Sequence, residues 1–198
     1  MNLRYGNLQK YQNPNPIQQA LINRFLAAIR RQVSTTNATN ILDVGCGEGF
    51  AAEYVRSCHP YWRFFGLDLD EAALARGRSW HPCIVFNRGD ILDLPFADNS
   101  FELVLCLQVL EHFSEPGQAL KELCRVSKCF CLLSVPHEPW FRLANFLRGK
   151  NLSRWGNDPE HIQNWSRRSF LRFVRAYIQV TDVEGSFPWL IVLGKIKT

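Results

Sequence analysis

The run Ile41-Leu42-Asp43-Val44-Gly45-Cys46-Gly47-Glu48-Gly49-Phe50 drives an apolar strand into a glycine-rich turn and out again into a helix. Glycines suit such a turn because a Cβ there would obstruct the approach of backbone amides to a ligand. The turn alone is weak evidence. Its spacing is G-x-G-x-G, which departs from the G-x-G-x-x-G that cradles a dinucleotide pyrophosphate. Asp43, two residues ahead of the first glycine, suits a cationic amine better than a phosphate. Further along, Phe64-Phe65-Gly66-Leu67-Asp68 ends a second apolar run on a carboxylate. Its two oxygens can accept from the vicinal hydroxyls of an adenosine ribose. Asp70, two residues on, reads as the cap of the next helix. Asp90, in Asn87-Arg88-Gly89-Asp90-Ile91, can accept from the exocyclic amine of adenine, with Leu69 and Ile91 sandwiching the ring. Taken alone, Asp90 is equally a turn residue.

These residues need strands and helices to hold them. Residues 15–32 carry apolar positions on one helical face behind a Pro14/Pro16 start. Short apolar runs at 40–44, 62–67, 83–87, 101–107 and 129–135 read as buried strands. Between them, 49–58, 71–80 and 116–126 read as helices. Strand-helix alternation of this kind implies a parallel sheet covered on both faces, a doubly wound α/β fold. After Pro136 the rhythm breaks until a helix capped by Ser166, followed by two closing strands near 177–183 and 190–195. The whole 1–198 chain reads as a single domain. Its parts are a tail and leading helix (1–39), a core (40–136), an acceptor-recognition insertion (137–165), and a closing helix and strands (166–198).

The stretches ILDVGCGEG, FFGLDLD and RGDILDLPFADNSFELVLCLQVLEHF, in that order across about residues 41–136, resemble the class I S-adenosylmethionine-dependent methyltransferases. The resemblance is to their small-molecule type 11 group. It implies a Rossmann-like sheet of seven strands, mostly parallel, with the last antiparallel, and S-adenosylmethionine as cofactor. By the same resemblance Gly45, Cys46 and Gly47 line the methionine moiety, Asp43 supports its amine and Asp68 holds the ribose. Asp90 and Ile91 meet the adenine, and Gln108 supplies backbone contacts to the methionine end. All sit at strand carboxyl ends, where open α/β sheets bind ligands. Amino-group methylators of this class usually carry Asn/Asp-Pro-Pro-aromatic after the fourth strand. Leu107-Gln108-Val109-Leu110 stands there instead, which disfavours adenine or glutamine amides as acceptors.

Transfer from a sulfonium disperses positive charge, so a dry pocket that aligns two partners favours it without an acid or base. A hydroxyl or activated-carbon acceptor would add a need for a base. His112, just after the fourth strand, is the first candidate and His137, just beyond the fifth, the second, with His161 behind them. Each is equally readable as a hydrogen-bonded structural histidine. The insertion carries Trp140, Phe141, Leu143, Phe146 and Leu147 among Arg142, Arg148 and Lys150, a stretch able to grip an apolar, lipid-like or anionic small molecule. Residues 140–150 are also a candidate for peripheral membrane contact. The tail at 4–11 could close over the cofactor, on aromatic content alone.

Composition narrows the classes further. At 198 residues there is no room for a second full domain with a cleft between the two, as a nicotinamide-dependent dehydrogenase would need. With 46% hydrophobic residues the chain can bury one substantial core. No apolar run reaches the ~18 residues of a membrane span, and the polar start lacks a secretory signal, so a cytoplasmic address is the default. Seven cysteines without a Cys-x-x-Cys pair read as reduced, mostly buried thiols, and five scattered histidines argue against a metal. The net charge of +5 is concentrated between Arg142 and Arg175, where eight basic residues face two acidic ones. An RNA methyltransferase would explain that excess, yet no RNA-binding module is recognisable and nucleic acid is disfavoured. A catalytically inert methyltransferase-like interaction protein is the remaining alternative.

Overall fold

A computed structural model describes residues 7–138 and 162–197. Its central strand, β1 (Asn40–Val44), is buried from Ile41 onward, as an unbroken apolar run requires when both faces of a sheet are covered. It pairs in parallel with β2 (Arg63–Asp68) on one side and β4 (Phe101–Leu107) on the other. β3 (Ile84–Arg88) extends the sheet beyond β2, and β5 (Ser127–Pro136) beyond β4. The hairpin of β6 (Ile178–Ser186) and β7 (Trp189–Ile196) closes it, with β7 antiparallel to both β5 and β6. The order is β3-β2-β1-β4-β5-β7-β6, so the seven-stranded, doubly wound sheet with an antiparallel last strand stands as expected.

A short helix, α1 (Asn7–Tyr11), precedes the covering helices. α2 (Pro16–Ser34), α3 (Phe50–Arg56) and α4 (Glu71–Trp80) lie on one face of the sheet. α5 (Pro116–Val126) and α6 (Arg167–Val174) lie on the other. Adjacent strand residues divide accordingly: Leu103 and Leu105 enter the first core, Val104 and Cys106 the second. Phe25, Phe64 and Phe170 are almost fully buried, each side chain contributing about 1.5–3 kcal/mol of burial.

Local signals set the helix starts. The Asn15 side chain accepts from the N–H groups of Ile17 and Gln18, with Pro16 in the first turn of α2. Asp70 caps α4 by accepting from Ala72 and Ala73 at 2.9 and 3.3 Å, as its spacing predicts. Ser166 and Ser169 form a reciprocal capping box at α6. Two features differ from the expectation. Residues 7–11, read from the sequence as part of a tail without secondary structure, are helical, and since five residues are too few to hold a helix by themselves, contacts to the rest of the protein must do so. Of the cysteines, Cys46, Cys106 and Cys131 are buried but Cys58 and Cys83, in the loops after α3 and before β3, are exposed, so the thiols are not mostly buried.

Among the described residues no helix is long and apolar enough to cross a membrane, and no group of three or more His, Cys, Asp or Glu is placed to hold a metal. The strand order reverses between β1 and β4. Their carboxyl ends therefore diverge into a crevice where the chain crosses to opposite faces.

Candidate active site

The turn after β1 takes left-handed backbone at Gly45 (φ 76°) and Gly47 (φ 53°). A Cβ on Gly45 would lie 2.3 Å from Cγ2 of Val109, so only glycine lets the turn pass this close to the segment after β4. The N–H groups of Gly45 and Cys46 both donate to the Leu67 carbonyl, at 2.8 and 3.1 Å. The Asp68 carboxylate completes the arrangement, with Oδ2 accepting from Gly47 N–H at 2.7 Å and Oδ1 from Asp70 N–H at 2.9 Å. Each oxygen keeps a further lone pair for a ligand hydroxyl.

Beyond β4 the chain turns sharply at Gln108, whose φ of 61° is unusual for a residue with a side chain. Two bonds to Ser134 hold it there: its N–H donates to the Ser134 carbonyl and its Nε2 to Oγ, both at 3.0 Å. A 3-10 turn, Leu110–His112, follows and was not foreseen from the sequence. Glu111 within it is fully buried, and its carbonyl accepts from Ile162 and Gln163, both at 2.9 Å. Glu138 N–H donates to the Trp165 carbonyl at 2.9 Å. Glu138, Ile162 and Gln163 are thereby fastened near the carboxyl end of the sheet.

A cleft of about 320 Å³ opens between these turns. Gly45, Gly47, Asp68, Leu69, Ile91, Gln108 and His112 all line it, seven of the residues expected at the site. Leu69 is 55% exposed, a large apolar side chain left for a ligand to cover. Asp43 and Cys46 line a smaller cavity that shares Gly45 and Gln108 with the cleft. Asp43 is 2% exposed, and burial, with the nearby charge of Asp68, pushes its carboxyl up to about 7. Burial likewise pushes the Cys46 thiol well up, so it is a neutral wall.

Two expected residues stand apart. Asp90 is exposed and does not line the cleft; its Oδ1 caps its own turn by accepting from Leu92 N–H at 2.9 Å. His137 N–H donates to the Pro188 carbonyl at 2.9 Å, and its ring, outside the cleft lining, has its basicity lowered by burial and by Arg167. His161 and the stretch 140–150 lie outside the described residues. Glu48 escaped the sequence reading, and Lys10 and Tyr11 were covered only by the tail 4–11 expected to close over the cofactor. Glu48, 1% exposed, pairs with Arg76 at 2.7 Å in the cleft wall, while Lys10 and Tyr11 roof the smaller cavity.

A left-handed glycine turn after β1, a buried acid on β1 and a second acid at the end of β2 stand together at the strand carboxyl ends, where open, doubly wound sheets bind ligands. A model of the methyltransferase domain family matches residues 42–129, which run from β1 into β5. A probable S-adenosylmethionine-dependent methyltransferase of Mycolicibacterium smegmatis is 36% identical over 87 residues, 44% of this chain and 33% of that protein. The phthiotriol/phenolphthiotriol dimycocerosates methyltransferase of Mycobacterium tuberculosis is 37% identical over 89 residues, 43% of this chain and 33% of that one. The chain thus spans about a third of the length of these relatives. Among solved structures, the magnesium protoporphyrin IX methyltransferase of Synechocystis, with bound S-adenosylhomocysteine, superposes with a TM-score of 0.73 at 14% identity, over 96% of this chain and 92% of that one. Residues 42–129 thus match the methyltransferase domain family, and relatives that share this stretch are named as S-adenosylmethionine-dependent methyltransferases.

The residues present fit that cofactor. Asp43 has no hydrogen bond or ion pair among the described residues, and a buried carboxyl in that state calls for a cationic partner. The left-handed turn at Gly45 and Gly47 borders the cleft, and Asp68 lines it with accepting capacity to spare.

Proposed function

We propose that this protein transfers a methyl group from S-adenosylmethionine to a small-molecule acceptor, apolar, lipid-like or anionic, at an oxygen or carbon atom. The observation that carries the reading is the cleft itself, with Asp68 and the glycine turn in its wall and His112 beside them. When bound, the cofactor supplies an electrophilic methyl group on a sulfonium. Asp43 would hold the ammonium of its methionine end, and Asp68 the ribose hydroxyls. Leu69 and Ile91 offer apolar walls to the adenine and keep water out. In such a cleft, alignment of the two reactants supplies much of the rate. A hydroxyl acceptor must also lose a proton, and His112 is the histidine in the cleft lining, while His137 is not.

The acceptor class has three supports. Leu107-Gln108-Val109-Leu110 stands where amino-group methylators of the class carry Asn/Asp-Pro-Pro-aromatic. Glu138 and Ile162 lie at the cofactor end of the sheet, and the sequence of 140–150 combines aromatic with basic residues that suit an apolar or anionic acceptor or a lipid surface. The mycobacterial relative's name makes phthiotriol and phenolphthiotriol dimycocerosates its acceptors. One observation favours RNA instead: Arg167, Arg168, Arg172 and Arg175 are all exposed on or just after α6.

Incubation with S-adenosylmethionine labelled on its methyl group and an extract of the source cells tests the two. Label in the organic or small aqueous fraction supports the proposal. Label mainly in RNA, lost steeply as salt rises, supports the alternative. No label in any fraction, despite cofactor binding, leaves an inert scaffold.

A further inference from the structure

A 3-10 turn leaves its last carbonyls without partners inside the turn, and Leu110–His112 runs straight into the loop before α5. Inside it, His112 N–H donates to the Val109 carbonyl at 3.0 Å and Phe113 N–H to the Leu110 carbonyl at 3.4 Å. The second bond is long, so bonds from outside matter to the shape of the turn. Among the described residues they come from Gln163 and its neighbour Ile162. The Gln163 backbone N–H donates to the Glu111 carbonyl at 2.9 Å, and its Nε2 donates to the carbonyls of Phe113 and Ser114 at 3.3 and 3.1 Å. Every N–H that a glutamine possesses is thus spent on one turn. Ile162 N–H adds a second bond to Glu111, at 2.9 Å.

The accepting carbonyls stand on both sides of His112. Gln163 fixes the peptide planes 111–112 and 113–114, so the direction of the His112 side chain between them is set by a residue far along the chain. His112 is exposed and lines the cleft with Gly47 and Asp68, whereas Gln163 does not line it. Two residues on, the Trp165 carbonyl accepts from Glu138 N–H at 2.9 Å, so the strip 162–165 ties the turn after β4 to the chain leaving β5. We propose that Gln163 is a positioning residue for His112, holding the turn so that the imidazole meets the cleft at one fixed place and acts from there on the acceptor. A misplacement of about 1 Å in such a group is enough to cost about 100-fold in rate. The inference rests on the reading of His112 under the proposed function, and Gln163 acts through that ring rather than by touching the ligand.

The place of the ring can be read without an acceptor. In NMR spectra the His112 ring-proton signals are identified by their loss in His112→Ala. Saturating the parent with S-adenosylhomocysteine should move them, because ring and ligand share the cleft. Gln163→Met keeps the length of the side chain and removes its donors. It should bind S-adenosylhomocysteine within about two-fold of the parent, while the movement of the His112 signals shrinks by about half or more. Gln163→Lys, whose ammonium still donates to carbonyls, should restore most of that movement. Gln163→Ala takes the place of Gln163→Met if the latter does not fold. A role in stability alone would lower the melting temperature of Gln163→Met and leave the movement as in the parent; that result overturns the inference, as does a Gln163→Lys protein that behaves like Gln163→Met. A parent that binds S-adenosylhomocysteine with no movement at His112 overturns it as well. A parent that does not bind S-adenosylhomocysteine overturns the cofactor reading and the inference with it, whereas unchanged turnover in His112→Ala overturns the base reading alone and leaves the placement of the ring by Gln163 standing.

Discussion

Asp68 Oδ2 accepts the Gly47 N–H at 2.7 Å, so the end of β2 holds the turn that follows β1. The same carboxylate is placed to bind the ribose and to shape the cradle. Asp68→Ala should therefore weaken S-adenosylhomocysteine at least ten-fold, from the loss of charge-assisted bonds of about 1.5–3 kcal/mol each. It should also melt a few degrees lower, because the turn loses its anchor. Calorimetry on the folded variant checks both, and parental affinity would remove Asp68 from the site.

Gly47 has φ 53°, and a β-branched residue there carries about 1–2 kcal/mol of strain. Gly47→Val should lower stability by roughly that amount and abolish cofactor binding. Denaturant titration read beside calorimetry separates the two effects. A variant destabilised as expected that still binds at parental affinity would show that the backbone at this turn does not approach the ligand.

Asp43 is ionised more readily in the unfolded chain than in the folded one, its carboxyl being raised to about 7 by burial and by Asp68. A raised carboxyl contributes stability that is intact below the unfolded value near 4 and is lost as pH rises towards 7. Asp43→Asn should consequently stabilise the ligand-free protein at pH 8 by up to roughly 2–4 kcal/mol, and by much less at pH 4. In the parent, affinity for S-adenosylhomocysteine should climb between pH 5 and 7 as the carboxylate that receives the ammonium forms. Melting curves and titrations across that range test the sign. An affinity independent of pH below 7 would argue against Asp43 as the ammonium partner.

His112 is exposed at the cleft, so removing its ring should leave the fold intact. His112→Ala is expected to lower turnover about 100-fold or more with cofactor affinity unchanged, and His137→Ala less than ten-fold. Measured rates with a hydroxyl acceptor decide. Unchanged turnover in His112→Ala would leave alignment and water exclusion as the source of the rate.

What could be read from the sequence was local or strongly periodic. The caps at Asp70 and Ser166 depend on bonds to the next three residues, and β1 and β4 show as unbroken apolar runs. Asp68 could be assigned because a strand end followed by a separate cap leaves it no other task. Glu48 was not legible, since its buried partner Arg76 arrives from α4. Lys10 was covered only as part of the tail because α1 is too short to display a period, and its aromatic neighbours come from α2 and β7 as well as from Tyr11. Asp90 was balanced between turn and ligand, and the Leu92 N–H two residues on takes one of its oxygens.

The central claim concerns what occupies the cleft, and it is tested most directly by titrating the unmodified protein with S-adenosylmethionine beside NADH. We expect one S-adenosylmethionine per chain, with a dissociation constant between about 1 μM and 1 mM, displaced by S-adenosylhomocysteine. NADH should produce no heat of binding, because the G-x-G-x-G turn and Asp43 suit an amine rather than a pyrophosphate. Saturable NADH binding, or no binding of S-adenosylmethionine by the folded protein, would contradict the assignment.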